Sequence, residues 1–266
     1  MNASVESSSE NPAGLFWFED EKFWEEIFPA LFPEQRFVAA DEEVSRVQGL
    51  TGCRTGRVLD LCCGPGRHSV ALARQGFQVT GVDRSPFLLG KAQERAEFEK
   101  LSIEWVREDM RAFVRANGFD LVINLFTSFG YFATVEEDLS VLQNAFRSLK
   151  PGGQFVIDVM GKEVLASRFV PSAVEEWTDG TAFVQRREIT DDWSRVRSHW
   201  MLIRADKVRH FRFDHTLYSG RELIDLLHRA GFEKIKLFGS PQGTPYDPNA
   251  QRLIAVAAKA EAPPPK

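Results

Sequence analysis

The sequence predicts an α/β fold with a seven-stranded, mostly parallel, doubly wound sheet whose last strand is antiparallel. Three observations predict it. Short apolar runs alternate with amphipathic helical segments, a glycine-rich turn follows the first run, and a block of β-rich segments interrupts this order late in the chain. Strands that alternate with helices form parallel sheets with right-handed crossovers. N-terminal helices and a small antiparallel β insertion complete the predicted fold.

Length and charge limit the classes of function. The chain has 266 residues and a formal net charge of −5, which suits one α/β domain with a small insertion. A mildly acidic surface attracts phosphate backbones weakly, so a nucleic-acid partner is not favoured. The N-terminus does not resemble a signal peptide, and no apolar run reaches the ~18 residues of a membrane span. We therefore expect a soluble protein without a membrane partner.

The cysteines indicate the compartment. Cys53, Cys62 and Cys63 are odd in number, and their spacing matches neither disulfide pairs nor a zinc site. Reduced thiols of this kind are typical of cytoplasmic proteins. We expect a cytoplasmic protein with no metal.

The domain organisation follows from composition. The Ser/Glu/Asn-rich start and the proline-rich end predict disordered tails. We expect tails at 1–14 and 260–266. The main domain is expected at 15–160 and 219–259, with a helical cap at 15–52. Between its two parts, 161–218 is expected to form an inserted substrate-binding or lid subdomain.

Apolar spacing and capping residues give the elements of the main domain. Helices are expected in the N-terminal cap, where apolar side chains recur every three or four residues, with the second helix at 39–50. Further helices are predicted at 66–76, 86–100, 135–149 and 219–230. Ser85 with Pro86, and the capping box Ser219 to Glu222, mark two of their starts. Strands are predicted at 57–63, 78–83, 103–109, 119–126, 154–160, 234–239 and 252–259.

The late β-rich block predicts the insertion. Runs at 181–189, 195–203 and 207–217 indicate about three antiparallel strands, with turns at Asp191-Asp192 and Ala205-Asp206. The last two strands of the main domain are expected to form an antiparallel hairpin joined by a short loop.

The glycine-rich turn carries the chemical signal. The segment VLDLCCGPGR follows a buried strand and opens a helix, and Gly64 lies 19 residues before Asp83. At that spacing a strand-end carboxylate reaches ribose hydroxyls. A P-loop would need Gly-Lys-Ser/Thr. A dinucleotide site would prefer glycine where Ser69 stands, and Asp60 would repel a pyrophosphate. Because Asp60 suits an α-ammonium group, the turn favours an amino-acid-bearing nucleoside.

The blocks DLCCGPGR, VTGVD, EDM, FDLVINLF and LKPGGQF occur in this order. They resemble the signature of class I S-adenosylmethionine-dependent methyltransferases, strongly over 55–160 and loosely over 219–259. The resemblance implies an enzyme that uses S-adenosylmethionine and releases S-adenosylhomocysteine.

The resemblance also implies a role for each matching residue. It assigns Asp60, Gly64 and Gly66 to the methionine portion, Asp83 to the ribose hydroxyls, Arg84 to the adenine or ribose, Asp109 and Met110 to the adenine, and Asn124 and Leu125 to the sulfonium. The alternatives are that the aspartates only end strands or cap a helix.

The acceptor is expected to be a small molecule. The segment 125–132 resembles that of small-molecule methyltransferases, including sugar-amine N-methyltransferases, and lacks the Asn/Asp-Pro-Pro-Tyr/Phe tetrad used on nucleic-acid bases. We expect direct displacement of the methyl group by a nitrogen or oxygen. The aromatic residues Phe126, Phe129, Tyr131 and Phe132 either line the acceptor pocket or pack beneath the loop. The alternatives are a catalytically silent cofactor-binding subunit or sensor and, less favoured, an RNA methyltransferase.

A general base is needed only if the acceptor is a hydroxyl. The candidates are His215, Tyr131, His199 and Tyr218. Which face of the insertion lines the pocket stays open, because a shift of one residue exchanges the faces of a strand. The N-terminal Trp17, Phe18 and Trp24 are expected to form either the opposite wall or a purely structural cap. The oligomeric state is expected to be monomer or homodimer.

Overall fold

The computed structural model describes residues 16–261, so the predicted tail at 1–14 and most of that at 260–266 lie outside the described residues. A short 3-10 helix, Trp17–Glu19, precedes seven helices: α1 (Glu21–Leu31), α2 (Glu34–Thr51), α3 (Arg67–Arg74), α4 (Pro86–Phe98), α5 (Val135–Ser148), α6 (Lys162–Ser167) and α7 (Gly220–Arg229). The strands are β1 (Arg57–Leu61), β2 (Gln78–Asp83), β3 (Glu104–Arg107), β4 (Phe119–Asn124), β5 (Leu149–Val159), β6 (Ser172–Glu176), β7 (Ala182–Thr190), β8 (Arg195–Arg204), β9 (Lys207–Thr216), β10 (Glu233–Phe238) and β11 (Leu253–Ala258).

The large sheet has the strand order β10-β11-β5-β4-β1-β2-β3. Strands β1 to β5 pair in parallel, and β11 runs antiparallel to both of its neighbours. The predicted fold class is therefore confirmed. The chain moves outward from β1 through β2 and β3, then returns to the other side of β1 with β4. That reversal opens a crevice at the carboxyl ends of β1 and β4, where sheets of this type bind ligands.

The core lies on both faces of this sheet. Alternating residues of a strand point to opposite faces. In β1, Leu59 joins the apolar cluster that includes α5 and α7, whereas Val58 joins the cluster that includes α2 and α3. The strand ends are thus held rigidly from two sides.

Local capping fixes the helix starts. The Ser85 side chain accepts a hydrogen bond from the Leu88 amide at the start of α4, and Ser219 with Glu222 forms a capping box on α7. Both starts were predicted. Thr134 forms a further capping box on α5.

The largest differences from the predicted elements of the main domain occur at three places. The segment 150–153 lies inside β5, because pairing begins at Leu149 opposite Phe119, with a register shift before Leu121. Helix α2 begins at Glu34 instead of residue 39. The β10–β11 hairpin is antiparallel, but its connection from residue 239 to 252 is long.

The smaller sheet has four strands, in the order β6-β7-β8-β9, instead of the three predicted. The extra strand is the edge strand β6, whose short and exposed sequence carries little periodicity. The predicted turns are present, since Asp191, Asp192 and Ala205 adopt positive φ angles of 52°, 52° and 50°. One face of this sheet packs on α1 through a cluster that includes Phe23, Phe183 and Phe211.

Across residues 16–261, no helix is both long and apolar enough to cross a membrane.

Candidate functional site

A cavity of about 320 Å³ lies over the carboxyl ends of the parallel strands, within the size range of small-molecule sites. One side, the strand-end side, comes from the loops that follow β1 to β4. The opposite side, the aromatic wall, comes from the N-terminal segment, the 125–132 loop and the small sheet. It consists of Trp17, Phe18, Phe23, Trp24, Tyr131, Phe132, Trp200 and Phe213.

The glycine turn and Asp83 form the middle of the strand-end side. Gly64 has φ of 55°, and its amide donates a hydrogen bond of 2.8 Å to one carboxylate oxygen of Asp83. The other oxygen accepts from the Ser85 amide at 3.0 Å. Burial raises the pKa of Asp83 to about 6 despite these donors. The carboxylate therefore fixes the turn and also faces the cavity.

Gly66 does not line the cavity. Its φ is 74°, and a Cβ there would lie 2.7 Å from the ring of Trp105 and 2.8 Å from Cβ of Ala92. The structure thus gives this glycine a packing role, which lets α3 begin close to β3 and α4.

Asp60 also lies behind the cavity surface. It is 2% exposed and accepts a hydrogen bond of 2.6 Å from the Ser69 hydroxyl. Burial raises the pKa of this carboxyl. Ser69, which departs from the dinucleotide pattern, therefore serves as the partner of Asp60.

Asp109 lines one end of the cavity and is surrounded by arginines. Arg84 donates to it at 2.8 Å, and the Arg111 side chain donates at 2.8 and 3.1 Å. The Arg111 amide adds a bond of 2.8 Å. Burial opposes ionisation, but the Arg111 hydrogen bonds lower the pKa of Asp109 overall. Each carboxylate oxygen thus already has two protein donors. Glu108, which the sequence did not single out, lines the cavity beside it.

Met110 lies next to this acidic end. It is 8% exposed, lines the cavity, and its sulfur lies 3.2 Å from that of Cys62. Arg84 also pairs with Glu19, which joins the N-terminal segment to the same end.

The other end of the cavity is cationic, and sequence reasoning missed it. Arg67 is 5% exposed and ion-pairs with Glu43, and its Nη2 is buried without a hydrogen-bond partner among the described residues. Its guanidinium lies 3.7 Å from the centroid of Phe126. Arg36 and His68 line the same end. One feature of the sequence could have revealed this cationic end. Arg67 stands in the first turn of α3, where the helix dipole disfavours a cation, so its position there calls for another reason.

Asn124 and Leu125 end β4 at this crevice. Leu125 lines the cavity. Asn124 is fully buried, outside the cavity lining, and its side-chain amide donates to the Leu61 carbonyl at 3.0 Å. It ties β4 to β1 just below the crevice.

The aromatic wall joins distant parts of the chain. The ring of Trp17 lies 5.0 Å from Tyr131 and 4.8 Å from Phe213. Phe129, by contrast, is 1% exposed and packs beneath the loop, 5.6 Å from the ring of Tyr218.

Comparison with known proteins finds similarity to methyltransferases. A family model described as a methyltransferase domain matches residues 58–153. A putative methyltransferase, YqeM, from Bacillus subtilis is 28% identical over 211 residues, which cover 77% of this chain and 85% of that protein. The sugar N-methyltransferase KedS8 from Streptoalloteichus has a TM-score of 0.69 at 25% identity, covering 98% of this chain and 100% of that one. CalS10, an amino pentose methyltransferase from Micromonospora echinaspora solved with S-adenosylmethionine bound, has a TM-score of 0.65 at 22% identity, covering 90% and 97%.

The chain is an S-adenosylmethionine-dependent methyltransferase. The cavity of this methyltransferase fits its cofactor chemically. The unpartnered Nη2 of Arg67 offers a donor for a carboxylate, Asp83 offers an acceptor for hydroxyls, and Met110 offers an apolar surface for a flat ring.

Of the four candidate bases in the methyltransferase, only Tyr131 lines the cavity. Burial raises the pKa of this phenol to about 12. His215 stacks behind it at 4.7 Å, and its Nε2 lies 3.2 Å from the Phe129 carbonyl. Burial lowers the pKa of His215 to about 4. Neither ring is therefore poised to remove a proton near neutral pH.

The other two candidates lie elsewhere in the methyltransferase. Tyr218 donates a hydrogen bond of 2.6 Å to Asp138, and burial raises its pKa. His199 lies on the opposite face of the small sheet from Trp200, 2.9 Å from a ring nitrogen of His210.

Proposed function

We propose that this methyltransferase methylates a nitrogen atom of a small-molecule acceptor by direct displacement. The observation that carries the proposal is the aromatic wall, which faces the strand-end side without a group ready to act as a base. A neutral amine brings its own lone pair, so it needs no base, whereas an alcohol does.

The strand-end side holds the cofactor in this proposal. Arg67, with Arg36, binds the methionine carboxylate by charge-assisted hydrogen bonds. Asp83 accepts from the ribose hydroxyls, and Met110 packs on the adenine. Asp109 contributes by fixing Arg84 and Arg111 at the same end, since its oxygens are already bonded to them.

The other residues that the family resemblance assigned to the cofactor lie at or beneath the cavity surface and support this arrangement. Gly64 places the turn at the cavity surface, and Gly66 lets the helix begin close to its neighbours. Asp60 with Ser69 and Asn124 with Leu61 fix the ends of β1 and β4. Leu125 then provides the cavity surface at the end of β4.

When bound, S-adenosylmethionine supplies an activated methyl group, so alignment and water exclusion are the main tasks of the protein. The aromatic wall excludes water from the acceptor side. We assign the segment 161–218 to substrate binding, because Trp200 and Phe213 bring it to the cavity.

Two further observations support the proposal. KedS8, similar over nearly the whole chain, is a sugar N-methyltransferase, which supports a nitrogen acceptor. The 125–132 loop lacks the tetrad that serves base nitrogens in nucleic acids, which supports a small molecule over a nucleic acid.

Methyl transfer from radiolabelled S-adenosylmethionine to matched small amines and alcohols tests the proposal. We expect transfer to amines, increasing as the pH rises through the pKa of the amine. Transfer confined to alcohols would contradict nitrogen as the acceptor. Cofactor binding without transfer to any component of a broad metabolite extract would instead support a silent cofactor-binding subunit.

A further inference from the structure

Two indole N–H groups stand out among the polar atoms around the cavity. The Nε1 atoms of Trp17 and Trp200 are buried and have no hydrogen-bond partner among the described residues. Both tryptophans line the cavity. A buried donor without a partner is destabilising, and native proteins satisfy most such groups. Both nitrogens have almost no accessible surface in this structure, so a ligand oxygen reaches them only by displacing the rings packed around them, such as that of Phe213.

The two indoles belong to one surface although they are far apart in sequence. Trp17 lies in the N-terminal 3-10 helix and Trp200 in β8. Both pack against Phe213, with ring centroids 4.8 Å away in each case. The shared ring makes them two donors at the edges of one aromatic compartment.

Trp24 shows that the wall does not leave its donors unsatisfied in general. It also lines the cavity, but its Nε1 donates to the Phe18 carbonyl at 3.0 Å. The missing partners of Trp17 and Trp200 are thus specific to those two positions.

The charges of the cavity restrict the ligand further. The carboxylates that line it, Asp83, Glu108 and Asp109, all belong to the strand-end side. The aromatic wall therefore offers ring faces and N–H donors, with no acidic partner for a cation. The wall itself carries no side-chain cation for an anion. Arg36 and Arg67 line the cationic end. Arg84, whose guanidinium lies 5.6 Å from the Phe18 ring, is paired with Glu19 and Asp109.

We propose that Trp17 and Trp200 anchor the acceptor through its oxygen atoms, and that the acceptor is an uncharged, flat molecule bearing carbonyl, ester or ether oxygens. This inference rests on the proposed function, because it places the acceptor on the side facing the cofactor. The indoles bind non-reacting oxygens and so set specificity, while the ring faces of the wall bury the apolar part of the molecule.

Three aniline probes separate the contributions. Methyl para-aminobenzoate has both ester oxygens, para-sec-butylaniline replaces them with carbon at the same size, and para-aminobenzoate carries a negative charge. Each is titrated into the full-length protein saturated with S-adenosylhomocysteine, and binding is followed by calorimetry and by NMR of the indole N–H groups. The six tryptophans give a readable set of signals, assigned with Trp→Phe variants.

We expect the ester to bind about tenfold more tightly than the carbon isostere, as one or two net hydrogen bonds predict. The Trp17 and Trp200 N–H signals should move on ester binding, and that of the half-exposed Trp193 should not. Trp17→Phe and Trp200→Phe should each weaken binding of the ester more than binding of the isostere, so that the preference for the ester falls. Trp193→Phe, the same substitution away from the cavity, should preserve the preference.

Equal affinity for the ester and the isostere, tighter binding of the anion, no binding of the ester, or unmoved Trp17 and Trp200 signals would overturn the inference. Failure of the proposed function is a separate result: the protein would then not bind S-adenosylhomocysteine, or would transfer no methyl group to any amine. If S-adenosylhomocysteine binds but the Trp17 and Trp200 N–H signals do not move when the ester is added, the proposed function still stands and only the role of the two indoles is refuted.

Discussion

The strand-end side and the aromatic wall of the cavity are built in different ways. On the strand-end side, Asp83 ends β2, and Gly64 and Met110 follow β1 and β3 of the same parallel sheet. Backbone amides fix the Asp83 carboxylate. The wall instead joins Trp17 and Trp200 from separate parts of the chain through ring contacts. Under the proposed function, the difference teaches that cofactor binding depends on a few directional bonds, whereas acceptor binding depends on how separate segments pack together.

The largest effect is expected from a substitution on the strand-end side of the cavity. Asp83→Ala should weaken S-adenosylhomocysteine binding about a hundredfold, because it removes a charged acceptor of the ribose hydroxyls and the tether of the Gly64 amide. Calorimetry with the purified variant measures this. Asp225→Ala, which removes an exposed carboxylate paired with Arg221, is the control. Unchanged affinity in Asp83→Ala would refute the ribose role.

A smaller effect is expected at the cationic end. Arg67→Gln should weaken binding of S-adenosylhomocysteine about thirtyfold, since a charge-assisted bond to its carboxylate is lost. Binding of methylthioadenosine, which lacks the amino-acid portion, should not change. Arg46→Gln, at an arginine paired with Glu42 on α2, serves as the control. An equal loss for both ligands would show that Arg67 acts only through the fold.

The effect of pH on affinity for S-adenosylhomocysteine should be smaller than the effects of these two substitutions. With its pKa at about 6, Asp83 loses its charge as the pH falls, so affinity for S-adenosylhomocysteine should drop about tenfold between pH ~7 and ~5. A pKa raised by burial stabilises the folded protein at low pH and loses that contribution as the pH rises through about 6, so this group does not cause acid unfolding. Asp83→Asn should bind more weakly but without this pH dependence. An identical pH profile in the variant would assign the titration elsewhere.

The smallest effect concerns the wall. Tyr131→Phe should change kcat by less than about threefold, because a phenol with a pKa of about 12 does not act as a base near neutral pH. Steady-state kinetics with an amine acceptor measures it. A loss of kcat of more than about a hundredfold would make Tyr131 a catalytic residue and remove the distinction between the two sides.

Much of the strand-end side could be predicted because its signals are local. The alternation of strands and helices, the Gly64 turn and Asp83 at its fixed spacing predict the fold class and the edge of the sheet where we propose that the cofactor binds. The same reasoning assigned Asp60 and Gly66 to the methionine portion of the cofactor, whereas the structure shows them in contact with neighbouring elements behind the cavity surface. Their contacts with Ser69 and Trp105 come from neighbouring elements, and no spacing reveals them.

The candidate bases show a second limit of sequence-based prediction, which is that strand periodicity does not tell which face of a strand points inward. His199 and Trp200 are adjacent in sequence, and the strand pattern allowed either one to face inward. The pairing of Trp200 with Phe211, together with the packing of Phe211 on Phe23 of α1, decides that the indole faces the interior and the imidazole does not.

The sequence by itself determined the α/β fold and the cofactor, and predicted the edge of the sheet where we propose that it binds, because strand periodicity and the glycine turn act over a few residues. Only the tertiary structure decided the aromatic wall and the cationic end at Arg67. Both arise where segments distant in sequence pack together, so their chemistry depends on register and packing that no local pattern records.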